Sequence, residues 1–163
     1  MLTTSAARQS IAVEKAPPRF HARHDAKART YLYRVSRRRT AFDKRLVWWV
    51  KDRLDLSTMS RAAALFTGRH DFSSFCENAA GQTSTVVVVE TNEALDRGRE
   101  IHYRIEASHF LWKMVRRLVG TLVEVGRGNL DTAGVGKLLA GKSGEPAKWT
   151  APPSGLFLEK VRY

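Results

Sequence analysis

The sequence has one cysteine and no long apolar run, and each shortage excludes a class of protein. Cys76 is the single cysteine, so an intrachain disulfide is impossible, as is typical of proteins in a reducing compartment. No apolar run approaches the roughly 18 residues of a membrane span. The N-terminus has no basic region followed by an apolar stretch, so we expect no secretory signal. These features predict a cytoplasmic protein with no membrane partner.

The usual motifs of metal and nucleotide-cofactor enzymes are also missing. The five histidines show no HExxH spacing, and no GxGxxG or GxxxxGK[ST] segment occurs. We therefore expect no metal and no cofactor. A nucleophilic pair of Cys76 with a histidine remains an alternative, although we expect Cys76 to pack as a small residue in a loop.

Basic residues dominate the charge and are unevenly placed. Lys and Arg number 28 against 16 Asp and Glu, a net charge of +12. Residues 19–53 hold twelve basic and three acidic residues, a net charge of +9, whereas residues 54–103 hold four basic and seven acidic ones. A basic face of this kind is typical of nucleic-acid binding. Taken alone, Arg37, Arg38 and Arg39 are better explained as a solvated turn after a strand.

Four segments have the alternation of β-strands. Residues 30–35 place Tyr31, Tyr33 and Val35 on one face, with Leu32 and Arg34 on the other. Residues 83–89 and 101–107 flank an Asp-Arg-Gly turn, which predicts a hairpin. Residues 155–163 predict a closing strand, and the prolines at 146, 152 and 153 predict a loop before it.

Three segments have helical periodicity. The first has Ser57 as its predicted N-cap and ends at Gly68, the second covers 110–126, and the third covers 132–140 and ends at Gly141. In the second helix, the spacing places Arg116 at the border of the apolar stripe and Lys113 and Arg117 on the opposite face. We therefore expect Arg116 to be half sheltered and Arg117 to be free to contact phosphate.

The order of these elements predicts an α+β fold with helices packed on one face of an antiparallel or mixed sheet. Residues 1–19 show no periodicity and contain Pro17-Pro18, so we expect a tail or the remnant of a connector. Residues 20–163 are expected to form the folded domain.

Four segments, in this order, resemble the tRNA pseudouridine synthase A family. They are Phe-His-Ala-Arg at 20–23 with Ala-Arg-Thr-Tyr-Leu-Tyr at 28–33, Gly-Arg-His-Asp-Phe-Ser-Ser-Phe at 68–75, Phe-Leu-Trp-Lys-Met-Val-Arg-Arg-Leu-Val-Gly at 110–120, and Gly-Leu-Phe-Leu at 155–158. Each motif is weak alone, but the four together make the assignment strong.

The resemblance implies a pseudouridine synthase fold of ferredoxin-like halves and an enzyme that isomerises uridine to pseudouridine in the tRNA anticodon stem-loop. It implies a homodimer and no cofactor or metal. By position, Tyr31 matches the tyrosine that stacks on the base, Arg116 the basic partner of the nucleophile, and Leu156 an apolar pocket residue. We expect tRNA to be contacted by a basic set of six residues: Arg19, Arg23, Lys27, Arg29, Lys113 and Arg117.

The family's nucleophile is an aspartate in a segment resembling Arg-Thr-Asp-Ala-Gly, and none of the seven aspartates has that context. We therefore expect a C-terminal catalytic domain whose N-terminal half is absent, and which is inactive alone. The chain could be a fragment of a full synthase, a truncated product that still binds RNA, or a half completed by another chain, and we favour the first. The alternative function is a non-catalytic RNA-binding or assembly module.

Overall fold

The computed structural model describes residues 13–41, 43–77, 79–81 and 83–163. They form a six-stranded mixed sheet and four α-helices, so the predicted α+β class is confirmed. The strands are β1 Ala28–Ser36, β2 Trp48–Trp49, β3 Gly68–Asp71, β4 Val86–Arg97, β5 Glu100–Ala107 and β6 Leu156–Arg162. The helices are α1 Leu56–Ala64, α2 Met114–Arg127, α3 Thr132–Ala140 and α4 Glu145–Lys148.

Six of these elements follow one another as β1, α1, β4, β5, α2 and β6, which is the order of a ferredoxin-like unit. β1 lies between β5 and β6 and is antiparallel to both, and β4 pairs antiparallel with β5. β2 runs parallel to the end of β1, which makes the sheet mixed. The expected ferredoxin-like half is therefore present in the topology.

The core lies between one face of the sheet and the helices. Alternate residues of β1 and β5 point into it, among them Tyr33, Val35, Ile101 and Tyr103, each no more than 1% exposed. A register shift in β4 between Val89 and Thr91 changes which of its residues face the core. The helices thus cover one face of the sheet, as the sequence predicts.

The opposite face of the sheet carries charged side chains in pairs. Arg34 donates two hydrogen bonds to Glu100, at 2.7 and 2.8 Å. Arg104 donates likewise to Glu159 on β6, at 2.7 and 2.8 Å. Arg34 and Glu100 lie on the neighbouring strands β1 and β5, whereas the Arg104–Glu159 pair reaches from β5 across β1 to β6. The Arg34 hydrogen bonds hold the pKa of Glu100 below its usual range.

The hairpin, α3 and the closing strand are confirmed, but several predicted boundaries are wrong. α1 begins at Leu56 because the carboxylate of Asp55, not Ser57, accepts the hydrogen bond from Thr58 N at 3.1 Å. α2 begins only at Met114, because Lys113 has a left-handed backbone (φ 59°) that cannot continue a helix. The predicted loop at Pro146 contains α4, in whose first turn proline is tolerated.

The predicted tail at 1–19 falls mostly on residues 1–12, outside the described part. Residues 13–19 are exposed and form no helix or strand. From Phe20 onward the chain contacts the sheet: the Phe20 ring meets that of Tyr163 edge-on at 4.9 Å, and Lys27 N donates to Arg162 O at 2.8 Å. The division into a tail at 1–19 and a domain at 20–163 stays a prediction.

Candidate active site

Tyr31 lies near the middle of β1, at the border of the helix layer. Its register partners are Ile105 on β5 and Leu158 on β6. The side chain is half-buried, and the ring of Phe110 stands edge-on to it at 4.9 Å between centroids. The Tyr31 ring is therefore held by packing on one side, while part of it reaches solvent. Such a ring suits base stacking.

Arg116 lies in the first turn of α2 and is tied to the chain that precedes β6. Its Nε donates to Ala151 O at 2.6 Å, and its own carbonyl accepts from Ala151 N at 3.0 Å. The side chain is half-buried, as the position on the helix predicts. Two hydrogen bonds to one residue fix both the helix turn and the guanidinium, so Arg116 is held in place before any ligand binds.

Tyr33 fastens the same connecting segment to the sheet. Its hydroxyl donates to Pro152 O at 2.7 Å, next to the residue that holds Arg116. Burial raises the pKa of Tyr33 well above its usual value, and the charge of Arg116 opposes this in part. The phenol is therefore a neutral hydrogen-bond donor, and Tyr33 positions the segment rather than reacting.

One hollow of about 420 Å³ brings the three predicted pocket residues together. Tyr31 comes from β1, Arg116 from α2 and Leu156 from the start of β6. The cavity is thus built from three elements that are far apart in sequence. Its lining is Tyr31, Phe110, Leu111, Trp112, Lys113, Met114, Val115, Arg116 and Leu156.

Lys113 and Arg117 differ in their surroundings, and the exposure predicted for Arg117 is wrong. Lys113 lies at the hollow and forms an ion pair with Glu77, whose pKa its hydrogen bond lowers. Arg117 is only 9% exposed and donates through Nη1 to Cys76 O. The turn containing Cys76 covers the helix face that the periodicity assigns to solvent, so Arg117 supports the fold.

Of the other four predicted RNA-binding residues, Arg23 and Arg29 share a hollow with Tyr31. Arg19, Arg23 and Lys27 are exposed, and Arg29 is half-buried with its Nη2 donating to Arg23 O at 2.5 Å. A second hollow of about 480 Å³ shares Tyr31 and Phe110 with the first one. The rest of its lining is Arg23, His24, Ala26, Arg29, Ser108 and His109. A basic channel therefore leads to the ring of Tyr31.

Cys76 does not behave as a nucleophile. It is 4% exposed, its Sγ donates to Ser73 O at 3.7 Å, and burial raises the pKa of its thiol. A buried neutral thiol is unreactive, which fits the predicted packing role.

Within the described ranges, no group of three or more His, Cys, Asp or Glu side chains could hold a metal ion. No helix in this part of the chain is long and apolar enough to cross a membrane.

Comparison with known proteins decides the family. A family model described as tRNA pseudouridine synthase matches residues 62–163. The chain belongs to this family. It is 41% identical over 154 residues to the tRNA pseudouridine synthase A of Moorella thermoacetica, covering 93% of this chain and 62% of that relative. It is 38% identical over 144 residues to the tRNA pseudouridine synthase A of Staphylococcus aureus, covering 87% of this chain and 54% of that relative. It is 41% identical over 143 residues to that of Halalkalibacterium halodurans, covering 86% of this chain and 54% of that relative.

The chain therefore spans between 54% and 62% of the length of these tRNA pseudouridine synthase relatives. Nearly all of its own sequence is used in the match to the Moorella protein.

Three residues of the site were not singled out in the sequence. Phe110 packs against the ring of Tyr31. The backbone of Ala151 binds Arg116, and Glu77 forms an ion pair with Lys113. Phe110 opens one of the family-like segments, so it could have been suspected. The contact of Ala151 involves only backbone atoms, and any residue could supply it, so no sequence signal marks it.

Proposed function

We propose that this chain is the C-terminal part of a tRNA pseudouridine synthase, an isomerase that converts uridine in the tRNA anticodon stem-loop to pseudouridine. The observation that carries the proposal is the single hollow shared by Tyr31, Arg116 and Leu156. Family membership supplies the reaction class, and the hollow supplies a place for one flipped-out base.

The proposed reaction begins when the target uridine leaves its stack, which costs a few kcal/mol. The ring of Tyr31 offsets part of this cost by stacking on the uracil, and Leu156 packs against it. Phe110 holds the Tyr31 ring in position, so little side-chain entropy is lost on binding. The basic channel beside Tyr31 would hold the flanking phosphates through Arg23 and Arg29.

Arg116 is proposed as the partner of a nucleophilic carboxylate. Within the described residues, Nε is the one guanidinium group of Arg116 with a protein acceptor, so both Nη groups can meet an incoming carboxylate. A fixed cation lowers the pKa of such a carboxylate and keeps it ionised in a partly dry site. Arg116 stays protonated and Lys113 is paired with Glu77, so we propose that neither replaces this nucleophile.

The nucleophile itself is proposed to come from an Arg-Thr-Asp-Ala-Gly-like segment outside this chain. The aspartates of the chain lie elsewhere, and the described lining of the hollow contains no carboxylate. The relatives are longer than this chain, so they have room for a further half. This half could be joined in cis or supplied in trans, and we expect the chain alone to be inactive.

A non-catalytic RNA-binding module is the second candidate, favoured by the exposed basic residues Arg19, Arg23 and Lys27. Binding of unmodified tRNA to Tyr31→Ala and Arg38→Ala separates the two candidates. A uridine pocket predicts that Tyr31→Ala weakens binding about five-fold or more, whereas Tyr31→Phe binds like the wild type. An electrostatic module predicts that Tyr31→Ala has no effect and that Arg38→Ala reduces the salt dependence by about one phosphate contact.

The proposed partners are tRNA, the missing half and a second copy of the chain in the cytoplasm. Two apolar side chains are exposed on or next to the edge strand β6. Leu158 is 54% exposed, and Tyr163 is 49% exposed. Edge strands with exposed apolar residues invite pairing with another sheet. Analytical ultracentrifugation should show self-association, and a monomer at every concentration would contradict this proposal.

A further inference from the structure

An aromatic hollow, separate from the two that contain Tyr31, lies at the end of β1 opposite the basic channel. It has a volume of about 820 Å³, within the range of about 300–1,000 Å³ typical of small-ligand sites. Its walls come from the segment between β1 and β2, from β2 itself and from the connection before β6. The lining includes Arg39, Thr40, Lys44, Trp48, Trp49 and Ser154.

Trp49 gives this hollow an exposed indole with a cation already in place. The side chain is 42% exposed, although tryptophan is usually well covered. The guanidinium carbon of Arg39 lies 5.7 Å from the centre of the indole ring. Arginine over an aromatic ring offers a stacking plane and several N–H donors in one unit.

The charge around Trp49 is strongly positive. Arg38, Arg39, Lys44 and Arg45 are all exposed, and Asp43 is the one acidic residue between positions 38 and 49. A neutral apolar partner would gain little from these cations, and an acidic partner without a flat ring would gain little from the exposed indole face. A nucleotide, with a flat base and a phosphate, matches both features.

The connection before β6 joins this hollow to the Tyr31 site. Ser154 lines the aromatic hollow, and Leu156, two residues later, lines the Tyr31 hollow. Gly155 between them has φ 94°, and a Cβ there would lie 2.7 Å from Arg34 O and 3.2 Å from Trp48 N. The connection is therefore pressed against β1 and β2, and the two hollows flank the same short piece of chain.

We propose that the hollow of Arg39, Lys44 and Trp49 binds one unpaired nucleotide of an RNA whose target uridine occupies the Tyr31 hollow. The base stacks on the Arg39–Trp49 pair, and Lys44 contacts a phosphate. The site would make the enzyme prefer RNA with an unpaired base near the target over a continuous duplex. This inference rests on the proposed function only for the uridine in the Tyr31 hollow. Binding of single-stranded RNA at Trp49 does not need catalysis.

The test is fluorescence anisotropy of the chain with a short, end-labelled single-stranded RNA, using matched substitutions of Trp49. Stacking predicts that Trp49→Leu weakens binding about five-fold or more, and that Trp49→Phe stays close to the wild type. Leucine keeps an apolar side chain but has no ring face, so a purely apolar contact would treat the two variants alike. Arg69→Gln, on the far strand β3, is the charge control. Lys44→Gln should lower RNA affinity more than Arg69→Gln does. Equal affinities of these two variants would show that Lys44 makes no local contact.

Equal affinity of both Trp49 variants and the wild type would overturn the proposal, as would equal weakening of both. So would a Trp49→Leu variant that changes self-association without changing RNA affinity, since this marks a protein interface. Photocrosslinking of wild-type chain to 4-thiouridine RNA does not depend on the folding of any variant, and it should label Trp49 or its neighbours. If Trp49→Leu weakens RNA binding while Tyr31→Ala does not, the proposed uridine pocket at Tyr31 fails, whereas nucleotide binding at Trp49 stands.

Discussion

Substitution of Gly120 by alanine should displace the helix that carries Arg116. Gly120 lies in α2, one turn after Arg116 and on the same side of the helix. A Cβ at this position would lie 1.6 Å from Trp149 O and 2.6 Å from Trp149 C. The obstacle is backbone and cannot rotate away, so α2 and the segment 149–151 must separate. That segment holds Arg116 through Ala151.

The size of the effect follows from two opposing contributions. Overpacking a tight core contact costs about 1–3 kcal/mol, and a clash with backbone belongs at the upper end of that range. Alanine recovers about 1 kcal/mol through its higher helix propensity. The net loss is about 2 kcal/mol, which for a chain of this length lowers the melting temperature by about 4–8 °C.

Thermal unfolding followed by circular dichroism measures this change, and Gly136→Ala is the matched control. Gly136 is also helical, in α3, but its Cβ would have nothing within 4 Å. Alanine there should raise the melting temperature by about 2–4 °C, since only the propensity changes. A Gly120→Ala protein as stable as the wild type would refute the close approach of α2 to Trp149 and the fixed position of Arg116.

Three further predictions concern stability and reactivity. Asp55→Ala removes the hydrogen bond to Thr58 N and should cost about 1 kcal/mol, or about 2–4 °C in melting temperature, and an unchanged value would contradict the N-cap. Arg34 lowers the folded-state pKa of Glu100, so this pair stabilises the fold above the unfolded pKa of about 4.3, and the contribution is lost as pH falls toward the folded value. Melting curves should therefore show a smaller acid-induced loss of stability in Glu100→Gln than in the wild type, and equal losses would exclude the pair. Cys76 should react with a thiol reagent only as fast as the protein opens, so rapid labelling of the folded protein would contradict its burial.

Local patterns were sufficient for β1, β5 and α3. The alternation at 30–35 and 101–107 reflects burial of one face of β1 and β5, and it appears in any strand packed on one side. α3 was predicted at its observed bounds from its periodicity and from Gly141, which ends it, and the structure adds Asp131 as its N-cap. Elements of this kind contain their own signals.

Elements set by distant partners were missed or misplaced. β2 has only two residues and exists because Trp48 and Trp49 pair with Val35 and Ser36. β3 exists because it pairs with the start of β4. Helical periodicity could not show that the turn containing Cys76 covers α2, which is why Arg117 is buried where exposure was expected.

The sequence offered candidate residues for the site, whose roles stay predictions, but not the way in which the fold brings them together. Tyr31, Arg116 and Leu156 were singled out by resemblance, and the sheet and α2 bring them around one hollow. The backbone of Ala151, which fixes Arg116, depends on where the connection before β6 crosses α2, and this follows from tertiary packing alone.

The most direct test of the account is the formation of pseudouridine in unmodified tRNA, measured by mass spectrometry of nuclease digests. The chain alone should give no product. Mixed with, or fused to, a polypeptide that supplies the Arg-Thr-Asp-Ala-Gly segment, it should become active, and Arg116→Gln should abolish that activity while the Arg69→Gln control keeps it. Product formed by the isolated chain, or full activity of the completed enzyme with Arg116→Gln, would contradict the claim that Arg116 serves an aspartate brought from outside the chain.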